Sequence, residues 1–177
     1  MRRVQKEFGQ NLEVTWKSFL LRPEPDPNRS LEKFKKYTGS WKRPASMETE
    51  TIFKVWSTEE GPPSHSIPPH QVIKAAARVG PEAFELMHDR LFRAYFSENR
   101  NITDNQVLLE LWTELGLPIE GLEEAEDPEL LREIVSEHNE ALQSGVTGVP
   151  AVRKEGGFGV LIGAEPEETY RRLVSRG

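Results

Sequence analysis

Gly145-Val146-Thr147-Gly148-Val149-Pro150-Ala151-Val152 is the stretch whose reading decides the fold. It sits between a long amphipathic pattern and two short apolar runs. Proline at the mouth of a strand cannot donate to a sheet ladder. X-Pro bonds are also the ones that take the cis form cheaply. The order helix, Gly-x-Thr-Gly-Val-Pro, hairpin therefore predicts a corner at Val149-Pro150 that ends one element and starts another.

Reading outward in both directions extends the pattern. Upstream, Asp127-Pro128 is an N-cap and N1 pair for a helix to about Gln143, with Leu130, Leu131, Ile134, Val135, His138 and Leu142 expected inward. Downstream, Ala151–Arg153 and Val160–Ile162 read as strands joined by a turn at Glu155-Gly156-Gly157-Phe158. Pro166 then opens a last helix carrying Tyr170, Leu173 and Val174.

The middle of the chain is helical in pattern. Pro69 suits N1 of a helix to Val79, stopped by Gly80. Pro81 opens the next, with an apolar stripe of Phe84, Met87, His88, Leu91, Phe92, Tyr95 and Phe96. Thr103-Asp104-Asn105-Gln106 reads as a capping box for a helix to Leu115, ended by Gly116.

Near the N-terminus, Met1–Phe8 reads as a short helix with Val4 and Phe8 on one face and Gly9 as its stop. Leu12–Leu20 alternates apolar and polar, which predicts a strand with Leu12, Val14 and Trp16 on one side. Three prolines within 23–27 make an exposed loop. Ser30 is placed to cap a helix over Leu31–Tyr37, with Leu31 and Phe34 inward, and Ile52–Trp56 reads as extended.

Composition narrows the chemistry. A chain of 177 residues is one domain, or one core with an inserted lobe. The net charge of −6 and the lack of a basic stripe argue against a nucleic-acid partner. There is no cysteine, which removes disulfides, thiolate nucleophiles and cysteine zinc sites together. With no long apolar run, no membrane association is expected and the cytoplasm is the expected compartment.

Other candidate sites are weaker. His65 and His70 do not share a helical face, and His88 and His138 sit on apolar stripes, so no metal site is expected. The acidic run Glu120, Glu123, Glu124, Glu126, Asp127 lacks calcium-loop spacing and reads as a solvated loop before a helix. Gly156-Gly157-Phe158-Gly159 lacks the Lys-Ser/Thr ending of a phosphate loop. Ser64 and Ser66 beside His65 lack a nucleophile elbow.

Several of these pieces, in this order, resemble the DsbA-like thioredoxin-fold family in its FrnE-like branch. That branch is grouped with 2-hydroxychromene-2-carboxylate isomerases and kappa-class glutathione transferases. The matching pieces are Leu12–Leu21 with Arg22-Pro23-Glu24, Ser64-His65-Ser66 with Pro68-Pro69-His70, Leu91–Asp104, Gly145–Pro150, and Ile162-Gly163-Ala164-Glu165-Pro166. The resemblance implies an α/β fold: a thioredoxin-like core, here N-terminally incomplete, with an inserted α-helical lobe. The core would be residues 1–22 and 139–177, and the loop and lobe 23–138.

Of the family's active site only Val149 and Pro150 carry over, as substrate-binding residues. If their bond is cis, the backbone N–H and C=O of Val149 face outward and pair with an extended peptide or with glutathione as an added strand. Family members begin with a strand and then Cys-x-x-Cys, or a serine in the isomerase and transferase relatives. Neither is present here, so no catalytic residue, no metal and no cofactor beyond glutathione is expected. Thiol–disulfide exchange requires a thiolate, so the chain as given should be redox-inactive. The incomplete sheet is expected to be met by a longer gene product with an upstream start, by a homodimer, or by local rearrangement. A glutathione-dependent isomerase or transferase relative, and a non-enzymatic binding or assembly protein, stand as alternative functions.

Overall fold

A computed structural model of the chain describes residues 1–47, 52–157 and 159–175. Two compact units are present: a terminal unit of Met1–Phe19 with Ile134–Gly177, and a central unit of Leu20–Glu133. Phe158 of the expected hairpin turn lies outside the described residues.

The central unit is helical. Its elements are α2 (Leu31–Thr38), α3 (Lys42–Met47), α4 (Ile67–Val79), α5 (Pro81–Phe92), α6 (Asn105–Glu114), α7 (Ile119–Glu123) and the first turns of α8 (Pro128–Gln143). The α4–α5 pair is the frame. Val72, Ala75 and Ala76 face Ala83, Met87 and Leu91 in one buried cluster with Leu108, Leu111 and Trp112. Alanine facing larger side chains lets the helices interdigitate. Trp112 is fully buried and donates its indole N–H to the Pro118 carbonyl at 3.0 Å. Gly121 packs so closely that an added Cβ would meet Val79 Cγ2 at 2.6 Å and Trp112 at 3.0 Å.

A second cluster is aromatic: Phe34, Trp41 and Trp56, with Phe53, Tyr95 and Phe96 around them. Its rings meet at 4.7–6.4 Å, as in Phe53–Phe96 and Phe34–Tyr95. Ser30 caps α2 by accepting from the Lys33 N–H at 3.3 Å, as the sequence predicts. Ile52–Trp56 forms no strand; separate hydrogen bonds hold it instead, with Lys54 N–H on the Phe96 carbonyl at 2.8 Å and Trp56 N–H on Thr38 Oγ1 at 2.9 Å.

The seat of that segment is Asn99, which is buried and has a positive φ of 58°. Asparagine tolerates this left-handed conformation better than most residues. Its Oδ1 accepts from the Ser57 N–H at 3.0 Å, and its carbonyl accepts from Thr58 Oγ1 at 2.8 Å. A π-helical turn over Arg93–Ser97 delivers the chain to this position.

Four expectations about the helices change. The cap of α6 is Asp104, whose carboxylate accepts from the Gln106 and Val107 N–H groups; Thr103 instead bonds Asn101 and Ser64. The acidic run is not all loop, because Ile119–Glu123 and a 3₁₀ turn over Glu124–Glu126 bury Ala125 and half-bury Leu122. The helix expected to open with Pro69 begins two residues earlier, at Ile67. On α8, Leu130 and Ile134 are buried, but Leu131, Val135 and Leu142, the next row round the helix, are exposed. The apolar stripe is wider than the face that is covered.

The terminal unit contains α1 (Arg2–Phe8), the rest of α8, β1 (Ala151–Val152), β2 (Leu161–Ile162) and α9 (Glu167–Ser175). The strands pair antiparallel, Ala151 opposite Ile162 and Val152 opposite Leu161. Ion pairs Arg3–Glu167 and Arg171–Glu7 (2.8 Å) tie α1 to α9, and Val4 is fully buried. This is a thioredoxin-like α/β fold, mostly helical, with a small two-stranded sheet.

The strand expected over Leu12–Leu20 is not formed among the described residues. The period-two burial survives: Leu12, Val14 and Trp16 are half-buried while Glu13, Thr15 and Lys17 are exposed. A strand also needs a ladder partner, and alternation cannot supply one. The segment is fixed by α8 side chains instead. The Ser18 N–H donates to Glu137 at 2.7 Å, Lys17 pairs with Glu140 at 2.6 Å, and Phe19 packs edge-on to His138 at 5.0 Å.

Candidate functional site: the Val149-Pro150 corner

The corner begins with the way α8 stops. Val146 N–H donates to the Ala141 carbonyl and Gly145 N–H to the Leu142 carbonyl, each at 3.0 Å. Gly145 has φ of 84°, and Val146 is buried. This is a Schellman stop, in which glycine takes the left-handed position and the next residue closes an apolar contact. Thr147 and Gly148 carry the chain to Val149 and Pro150, both exposed, and the bond between these two is cis.

Beyond the corner the backbone is held. The Pro150 carbonyl accepts from the Gly163 N–H at 2.8 Å, extending the β1–β2 pair by one bond. Gly163, at φ of 97°, turns the chain toward Glu165. Tyr170, buried on α9, donates its hydroxyl to the Gly163 carbonyl at 3.4 Å and accepts from the Glu165 N–H at 3.1 Å. Tyr170 thus clamps the loop that holds Pro150. Reading the sequence placed Tyr170 on the last helix only as an apolar residue; the Ile162–Pro166 match beside it was the one hint of this role.

Among the described residues, nothing hydrogen-bonds the backbone of Val149. The result is a rigid strand start with one open residue. Such a backbone can accept an added extended segment through main-chain hydrogen bonds. Val149 and Pro150, the two residues singled out in the sequence, form the corner, in a chain that contains no cysteine. Lys17 and Arg153 both reach Glu140, at 2.6 and 3.4 Å, and together they hold its carboxyl below the ordinary glutamate range.

The histidines are scattered. His88 lies between Phe84 and Phe92, stacked on the latter at 4.7 Å. His65 Nδ1 shares a hydrogen bond with Ser64 Oγ at 2.8 Å, and burial lowers its pKa. These two are sequence neighbours in a loop, with no third orienting group shown. Among the described residues, no group of three histidine, aspartate or glutamate side chains converges as a metal site would require. No helix among them is long and apolar enough to cross a membrane.

An exposed proline corner between a long helix and a hairpin, with a helical lobe inserted ahead of it, defines the thioredoxin-like class. The model of the DSBA-like thioredoxin domain family matches residues 1–175, and the chain belongs to that family. Among solved structures it is similar to the cytosolic disulfide reductase DsbM from Pseudomonas aeruginosa (22% identity, TM-score 0.70), covering 98% of this chain and 83% of that one. A DsbM structure with GSH gives 22% identity and TM-score 0.73 over the same shares. A candidate protein disulfide isomerase from Nitrosomonas europaea gives 18% and 0.73, covering 98% and 85%. No curated protein matches the chain by sequence.

Proposed function

We propose that this chain is a redox-inactive member of its family that retains the family's ligand-holding corner. The carrying observation is the open Val149 backbone in a chain of 177 residues without a cysteine. With no thiolate there is no attacking or leaving sulfur, so the chain alone cannot exchange disulfides. The corner's ligand is an extended peptide or glutathione, bound by main-chain pairing at Val149.

Glutathione is favoured by one observation: a similar structure, that of DsbM, was solved with GSH. The reading extends to the FrnE-like branch and to the cytoplasm, the latter in keeping with the description of DsbM as cytosolic. Two assays test it. Insulin reduction should proceed at the uncatalysed rate, and turnover by this chain would refute redox inactivity. Calorimetry with glutathione should show saturable binding that weakens when Val149→Pro removes the backbone donor; heats of dilution alone would refute the ligand.

A further inference from the structure

The hairpin and the last helix enclose a feature that the corner does not use. An open cleft of about 340 Å³ lies between the β1–β2 hairpin and α9, inside the terminal unit. That size falls within the roughly 300–1,000 Å³ of small-molecule sites. The cleft is lined by none of Val149, Pro150, Gly163 and Tyr170, which make up the corner and its clamp.

The local structure explains why the space is there. Thr169, Arg172 and Leu173 stand three and four residues apart, so they share one face of α9 and form one wall. Leu161 of β2 stands on the other wall. It pairs with Val152 of β1, and Lys154, two residues past Val152, lines the cleft from the same side. Gly159, two residues before Leu161, has no side chain to fill the gap, and an added Cβ there would meet nothing within 4 Å.

The walls are chemically divided. Leu161 and Leu173, both half-buried, are apolar, while Lys154, Arg172 and Thr169 bring two positive charges and a hydroxyl. Lys154 Nζ donates to the Val174 carbonyl at 3.5 Å, which puts the ammonium at the last turn of α9, beside Leu173. Arg172 Nε donates to Glu168 at 3.2 Å, but the two side chains are 70% and 58% exposed. So exposed an ion pair contributes little and gives way readily to a competing anion.

We infer that this cleft binds a small amphiphilic carboxylate, a short apolar chain ending in one carboxylate group. The chain covers Leu161 and Leu173, and the carboxylate accepts from Lys154, Arg172 and Thr169 through charge-assisted hydrogen bonds. A purely structural Lys154, capping the end of α9, accounts for the Val174 contact alone. It gives no reason for an apolar recess rimmed by a second cation and a hydroxyl.

The test is an NMR titration of the full chain with octanoate, followed at side-chain methyl groups. Saturable shifts of the Leu161, Thr169 and Leu173 methyls are expected. Acetate carries the head group without the chain, and octanol the chain without the charge; each should bind at least about tenfold more weakly. Lys154→Gln should weaken octanoate several-fold and leave octanol unchanged. Arg172→Gln, at an exposed position that leaves the fold intact, should do the same. The site is refuted if octanoate leaves those methyls unmoved, if acetate or octanol binds as tightly, or if Arg172→Gln binds octanoate as the parent chain does.

Discussion

The central and terminal units bury their residues in different ways. In the central unit, two continuous clusters of buried side chains run through α2 to α8. In the terminal unit, burial is punctual: Val4, Ser18, Ile134, Val146 and Tyr170. Helices satisfy their backbone internally and need only a packed stripe, whereas a two-stranded sheet of two-residue strands is marginal without further support. The difference separates a unit held by continuous apolar packing from one held at single points, where the proposed binding corner lies. An open backbone at Val149 is tolerable because it is exposed and because Gly145, Gly163 and Tyr170 hold it from both sides.

The largest test of that contrast is in the scaffold. Trp112→Ala removes a fully buried indole from the α4–α6 cluster and should cost about 3–5 kcal/mol in urea unfolding. A cost below 1 kcal/mol (roughly what one neutral hydrogen bond contributes) would break the comparison.

Next comes alkaline pH. Tyr95 is raised from 10.0 to about 12, chiefly by burial, so the folded state holds its proton more tightly than the unfolded chain. The stability this gives is present below pH 10 and is lost as pH rises to 12. The loss should be on the order of 2–3 kcal/mol, absent in Tyr95→Phe, and visible as a late phenolate band in ultraviolet titration. At the acid end the sign reverses. Hydrogen bonds from Arg90 hold Glu114 low, and those from the Glu129 N–H and from Arg78 hold Asp127 low. Their contribution is present above the ordinary carboxylate range and is lost as pH falls through the depressed values.

Gly121→Ala should cost roughly 1–3 kcal/mol, because Val79 and Trp112 must give way. The smallest effect sharpens the other half of the comparison. Tyr170→Phe should cost about 1 kcal/mol globally. It should also raise hydrogen exchange at Gly163 while leaving α4–α6 amides unchanged. Uniform acceleration would show that the terminal unit is not separately held.

What was legible follows from range. Ser30 and Asp127 act within three residues of themselves, so their capping roles can be read directly from the sequence. Asp104 took the cap from Thr103 because Thr103 is drawn away to Ser64, thirty-nine residues distant. Leu12–Leu20 shows the limit most plainly. Its alternation predicted which side chains are covered but not the ladder, which depends on a partner that alternation cannot name. Asn99 was hidden for the same reason, since its partners Lys54, Ser57 and Thr58 lie more than forty residues away. At the corner, Val149 and Pro150 were legible through glycine and proline chemistry, while the Tyr170 clamp needed the fold.

The central claim is that the chain binds through the Val149 backbone without doing thiol chemistry. The direct measurement is an amide NMR titration with S-methylglutathione, which has no free thiol. The account predicts saturable shifts centred on the amides of Val149, Ala151 and Gly163, with those of α4–α6 unmoved. Shifts confined to other residues, or none at saturating ligand, would contradict it.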